Sequence, residues 1–142
     1  MTEQPSSPEA ARVIVEDDVT ITNESVVWRR LSPMQAPADE NNPGRRRLSE
    51  GGFSDSSDGS GMSVHLVVGA EDPRSYLQLV GRPHDGIAEI VVRDVRATNL
   101  YGIVRRPTPE DPEHCEITGA RSSKKRRHLF KHATLILDPD PT

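Results

Sequence analysis

Cysteine is nearly absent: Cys115 is the single one in 142 residues. One thiol closes no intramolecular disulfide and assembles no cysteine zinc cluster. Aromatic residues are scarce at 4%, and hydrophobic residues make up only 33%. A core must therefore come from part of the chain. No apolar run approaches the roughly 20 residues of a membrane-spanning helix. No apolar segment follows Met1 as in a signal peptide, so the expected location is the cytoplasm, with no membrane partner. Neither GK[ST] nor GxGxxG occurs, which removes the two best-defined phosphate-binding loops. The length suits one domain.

Charge is present but uneven. The net charge is −4. Residues 1–24 carry six acids against Arg12 alone, whereas residues 121–132 carry six bases and no acid. Such asymmetry allows local anion binding in an acidic protein.

In chain order, residues 1–11 are polar and proline-bearing and are expected to be a disordered tail. Alternating Val13, Val15, Val19 and Ile21 predict a strand, or two short ones about Asp17 and Asp18. VVWRRL at 26–31 predicts a strand with Trp28 as core anchor and Arg29 and Arg30 on opposite faces. Residues 32–61 read as a long polar loop. Met62–Val68 predicts a buried strand, with Ser63 and His65 on one face. DPRSYLQLV predicts a short helix capped by Asp72. Residues 86–98 fit strand and helix alike; Ala88, Val91, Val92 and Val95 fall at helical spacing, and a helix is the expectation. Tyr101–Arg105 and Glu113–Gly119 predict strands. Ser122–Leu137 predicts the last helix, and 138–142 a loose end. These elements make a single α+β domain over 12–137, with a mixed sheet and two or three covering helices.

Candidate chemistry is concentrated in few places. In RRRLSEGGFSDSSDGSG, glycines and serines could bring N–H and O–H donors to an anion, and Arg46 with its neighbours could fork around a phosphate. The calcium-loop pattern is missing its ligand positions. His114 and Glu116 form H-x-E but lack the P-C-x-x-C of zinc deaminases. His128 and His132 are spaced like a metal pair but sit among cations. No metal and no cofactor is expected. Lys124, Lys125, Arg126 and Arg127 form a basic stretch that could contact nucleic acid phosphates.

Three blocks, VWRRLSP, RRRLSEGGFSDSSDGSGMSV and RRPTPEDPEHCEITG, together resemble a family of small uncharacterised bacterial proteins. That resemblance puts Arg29, Arg30, Ser49, Phe53, Ser63, Val64, His114 and Gly119 at motif positions. It implies a domain outline and no mechanism. A weaker similarity is to ADP-ribosyltransferase-like and RES-type NAD-handling domains, which also place an Arg on an early strand and a Ser on a later one. The catalytic Glu of such domains has no counterpart here.

Two functional expectations follow. The first is a non-enzymatic bacterial accessory protein that binds an anionic ligand or a protein partner through 45–61 and the basic helix. Arg29, Arg30 and Arg46 would supply charge, Ser49 and Ser63 hydrogen bonds, and Phe53 an anchor. The second is a nucleotide- or NAD-processing enzyme with His114 as base or orienter and Arg29 and Ser63 on the nucleotide. It requires those three to share one concave pocket.

Overall fold

A computed structural model describes residues 15–57 and 61–140. Its centre is a six-stranded sheet in the order β4-β5-β2-β1-β3-β6. The strands are β1 (Val26–Leu31), β2 (Met62–Leu66), β3 (Gly86–Val91), β4 (Gly102–Arg105), β5 (His114–Thr118) and β6 (Thr134–Leu137). Three α-helices accompany them: α1 (Pro73–Leu79), α2 (Val92–Arg96) and α3 (Ser123–His132). The α+β class agrees with the sequence. The sheet, expected to be mixed, pairs antiparallel at every ladder.

Side chains alternate across a strand, so each strand feeds both faces. One face buries Val27, Leu31, Val64, Leu66, Ala88, Ile90, Ile103 and Ile117. Val92 and Val95 of α2, Leu129 of α3 and Phe53 cover it. The other face buries Trp28 and Ile87 beneath Tyr76 and Leu77 of α1. Helix α1 has only seven residues. It leaves the rest of that face to polar side chains, which an antiparallel sheet tolerates.

Several expectations change at element boundaries. Residues 86–98 form β3 followed by α2 rather than one helix. All six residues of β3 pair with β1, and that central ladder outweighs the helical spacing of its valines. The last helix ends at His132, and Thr134–Leu137 becomes edge strand β6 against β3. Ala133 is already extended at φ −90 and ψ 149, and the β-branched Thr134 and Ile136 after it suit a strand. Gly86 permits this pairing. A Cβ there would lie 2.5 Å from the Leu137 carbonyl oxygen. Beyond β6, Pro139 is buried and the Asp140 N–H donates to the His84 carbonyl at 2.9 Å.

Residues 15–22 contain no strand; Val13 lies outside the described residues. Instead this segment shields the edge of β4. The Asp18 N–H donates to the Ile103 carbonyl at 2.7 Å, and the Ile103 N–H donates to Asp17 Oδ1 at 3.0 Å. Covering an open strand edge in this way blocks edge-to-edge association.

Cys115 is 1% exposed in β5, and burial pushes its thiol from 9.0 up to about 11. The folded state keeps this proton where the unfolded chain gives it up. The contribution is complete below about pH 9 and is lost as pH rises towards about 11. Urea midpoints should therefore fall over this window, and the slope should be shallower in Cys115→Ala.

Candidate functional site

The α1 face carries a pocket of about 300 Å³ lined by Arg30, Tyr76, Arg82, Thr108, Glu110 and His114, with Val80 and Asp111 completing it. Each wall has a local cause.

Arg30 enters from β1, on the face opposite Arg29. Tyr76 comes from α1, which starts with Pro73 after an Asp72 cap whose carboxylate accepts the Ser75 N–H at 2.9 Å. The helix stops at Gly81, which has φ +75. The Gly81 N–H donates to the Gln78 carbonyl at 3.2 Å and the Arg82 N–H to the Leu77 carbonyl at 2.8 Å. This pair of bonds is the Schellman stop that glycine favours. It turns the chain so that Arg82 lines the pocket.

The facing wall is the turn Thr108–Asp111, with Pro109 at its second position. The Asp111 N–H donates to Thr108 Oγ1 at 3.0 Å and to the Thr108 carbonyl at 3.2 Å. His114 opens β5 and lines the same space, with Nδ1 2.8 Å from the Arg106 carbonyl oxygen. A carbonyl only accepts, so Nδ1 carries the proton and Nε2 is left as the ring's variable nitrogen.

Arg30 and Arg82 bring positive charge to the pocket lining. Among the described residues, neither the Arg30 nor the Arg82 guanidinium makes a hydrogen bond or ion pair to the protein. Burial holds the Tyr76 hydroxyl well above its usual range, with Arg30 opposing, so the phenol stays a donor. Two acids temper the field. Asp111 turns away onto His65, with both carboxylate oxygens within 3.0 Å of Nδ1. Glu110 is exposed at the rim. Burial raises the nearby Asp85 carboxyl, while Arg82 and Arg30 pull it back.

The sequence candidates divide. Arg30 and His114 share the pocket, and Ser63 lines a small extension of it together with Trp28, Arg30 and His114. Arg29 does not join them. Its guanidinium crosses to the other side of the sheet and donates to the carbonyls of Gly52 at 2.8 Å, Ser63 at 2.9 Å and Ser54 at 3.3 Å. Burial lowers it to about 10, and the three acceptors compensate. Arg46 is likewise internal, donating to the Ala36 carbonyl at 2.8 Å and that of Pro33 at 3.2 Å. Ser49 caps the 3-10 turn Glu50–Phe53 by accepting the Gly51 N–H at 3.2 Å. Phe53 is 0% exposed and belongs to the core. The described part of the 45–61 loop is thus a structural strap.

The basic helix is also partly consumed. Lys125, expected to be open to nucleic acid phosphates, is 1% exposed. Its Nζ donates to Asp55 Oδ1 at 2.8 Å and to the Ile117 carbonyl at 2.9 Å. Arg127 lies 3.6 Å from Glu50, and Arg121 reaches Asp55 and the Ser56 carbonyl. Lys124 stays exposed and Arg126 half-buried. His128 leans on Tyr101 and lies 2.7 Å from the Asp94 carbonyl oxygen. No group of three metal-ligating side chains occurs among the described residues. None of their helices is long and apolar enough to cross a membrane.

Sequence reasoning missed Tyr76, Arg82 and the 108–111 turn. The glycine after an apolar helix end was the available signal for Arg82, and Thr-Pro-Glu-Asp the signal for the turn. No protein-family model, curated protein or solved structure matches the chain, so function rests on the geometry.

Proposed function

We propose that this protein binds a small anionic ligand, one carrying a phosphate-like or sulfate-like group, in the pocket between α1 and the 108–111 turn. The observation that carries the reading is the convergence of Arg30 and Arg82, whose guanidinium groups have no partner among the described residues, with Tyr76 and His114 on about 300 Å³ of open space. Guanidinium donors match the oxygens of an oxyanion in geometry and charge. The space accepts the anionic group and a small body attached to it.

Binding without catalysis is favoured over nucleotide or NAD processing. The enzymatic reading needed Arg29 beside Ser63 and His114, and Arg29 instead serves the strap. A protein or nucleic acid partner on the basic helix is also less supported, since Lys125 is buried and Arg121 and Arg127 face acids.

Calorimetric titration with inorganic phosphate, sulfate and nucleoside monophosphates tests this. Saturable binding of at least one is expected, weakening with salt as electrostatic contacts do. Absence of heat and of any stabilisation of the fold with every ligand would overturn it.

A further inference from the structure

His65 lies behind the pocket, 4% exposed, and none of its atoms lines the opening. Both its ring nitrogens face carboxylates. Nδ1 is 2.9 Å from Asp111 Oδ2 and Nε2 is 2.8 Å from Glu71 Oε1. Asp111 belongs to the turn that forms one pocket wall. Glu71 belongs to the segment leading into α1, the other wall, and also accepts the Val68 N–H at 2.7 Å. One buried ring therefore joins the two walls.

Hydrogen-bond stoichiometry decides how. Carboxylates only accept, so two donors are needed, and an imidazole offers two only when both nitrogens are protonated. A ring with one proton must leave a lone pair facing one carboxylate, and that contact is repulsive. Backbone N–H groups of Glu113 and Val68 also donate to Asp111 Oδ1 at 3.0 Å and Glu71 Oε2 at 2.7 Å, but they leave the ring's lone pair facing a carboxylate, and no side chain around the ring donates to it among the described residues. Tyr76 of α1 stacks on the ring at 4.0 Å between centroids, Trp28 of β1 lies 5.8 Å away, and the cross-strand partner on β5 is His114. The Trp28 indole N–H is committed to Glu89 at 3.1 Å.

We propose that His65 is a positioning residue of the anion pocket. As the imidazolium it ties the 108–111 turn to the entry of α1, and loss of its proton releases one wall and lowers affinity for the anion. This rests on the anion-binding reading above.

Sulfate is the probe, because it does not titrate in the imidazole range. Its affinity is measured from about pH 5.5 to about pH 9 in the wild-type chain and in Glu71→Gln. A glutamine amide can donate to a bare nitrogen or accept from a protonated one, so it holds the wall in either state. His114 is present in both proteins, so any effect of its own cancels in the comparison. The wild-type affinity should fall about tenfold more across the range than that of Glu71→Gln, a difference of about 1.4 kcal/mol. Parallel profiles would overturn the proposal while leaving the pocket standing. No sulfate binding at any pH, with phosphate and nucleotides also failing, would overturn both. Should Glu71→Gln not fold, the wild-type chain alone decides. Linkage is reciprocal, so saturating sulfate must keep the His65 ring nitrogens doubly protonated to higher pH by 15N NMR. An unchanged His65 titration contradicts it.

Discussion

Lys125→Met is expected to destabilise the fold by about 3–5 kcal/mol, because it removes the close partner of a buried carboxylate and leaves it only the longer Arg121 contact at 3.8 Å. Asp55 has a side chain only 6% exposed, and Lys125 Nζ at 2.8 Å is its nearest cation. Methionine fills similar space but supplies no charge and no donor, so the Ile117 carbonyl also loses a partner 2.9 Å away. A drop of roughly 10–20 °C in Tm should follow for a domain of this size. Adding Asp55→Leu removes the orphaned charge and should recover most of the loss, since a buried ion pair replaced as a unit is often near neutral. Thermal and urea unfolding of the two single variants and the double variant measure this. A neutral Lys125→Met would mean that the strap over α3 opens freely and that Asp55 is solvated.

The second large effect is on binding. Arg30→Met is expected to weaken anion affinity by about 10- to 100-fold, the loss of roughly 1.5–3 kcal/mol for charge-assisted hydrogen bonds. Stability should stay within about 0.5 kcal/mol, because the guanidinium has no partner among the described residues. The contrast with its neighbour sharpens the test. Arg29→Met removes three carbonyl contacts on the opposite face. It should destabilise the fold without a comparable loss of affinity at the wild-type melting margin. Two adjacent arginines of one strand thus separate into a stability residue and a ligand residue, read by unfolding and by calorimetry.

Much of the framework was legible because it depends on local rules. Alternation around Trp28 and across Met62–Leu66 placed β1 and β2 and assigned their faces, and Asp72-Pro73 and Ser122 marked two helix starts. Residues 86–98 misled because Ala88, Val91, Val92 and Val95 satisfy a helical stripe while Ala88 and Ile90 also satisfy a strand. Only the ladder to β1, a contact across 50 or more positions of sequence, decides between them. The same holds for β6, which exists by pairing with β3.

The site was half legible. Arg30, Ser63 and His114 were named from the sequence, and the fold gathers them on one face of the sheet. Arg46 and Ser49 were named as donors and Phe53 as an anchor, and residue type does not reveal that backbone groups or the core already occupy them. Lys125 shows the same limit. A lysine in a basic run looks solvated until Asp55, 70 positions away, is brought to it. His65 carried no role in the sequence because Glu71 and Asp111 are ordinary acids there, and only tertiary contact makes them a matched pair.

The most direct test of the anion pocket is a phosphate titration followed by 15N NMR of the arginine Nε and histidine ring resonances. Arg30, Arg82 and His114 should shift together and saturate on one binding curve, while Arg29 and Arg46 stay still. Shifts confined to Arg126, Arg127 and their neighbours on α3, or no saturable shift at Arg30, would place the anion elsewhere and contradict the assignment.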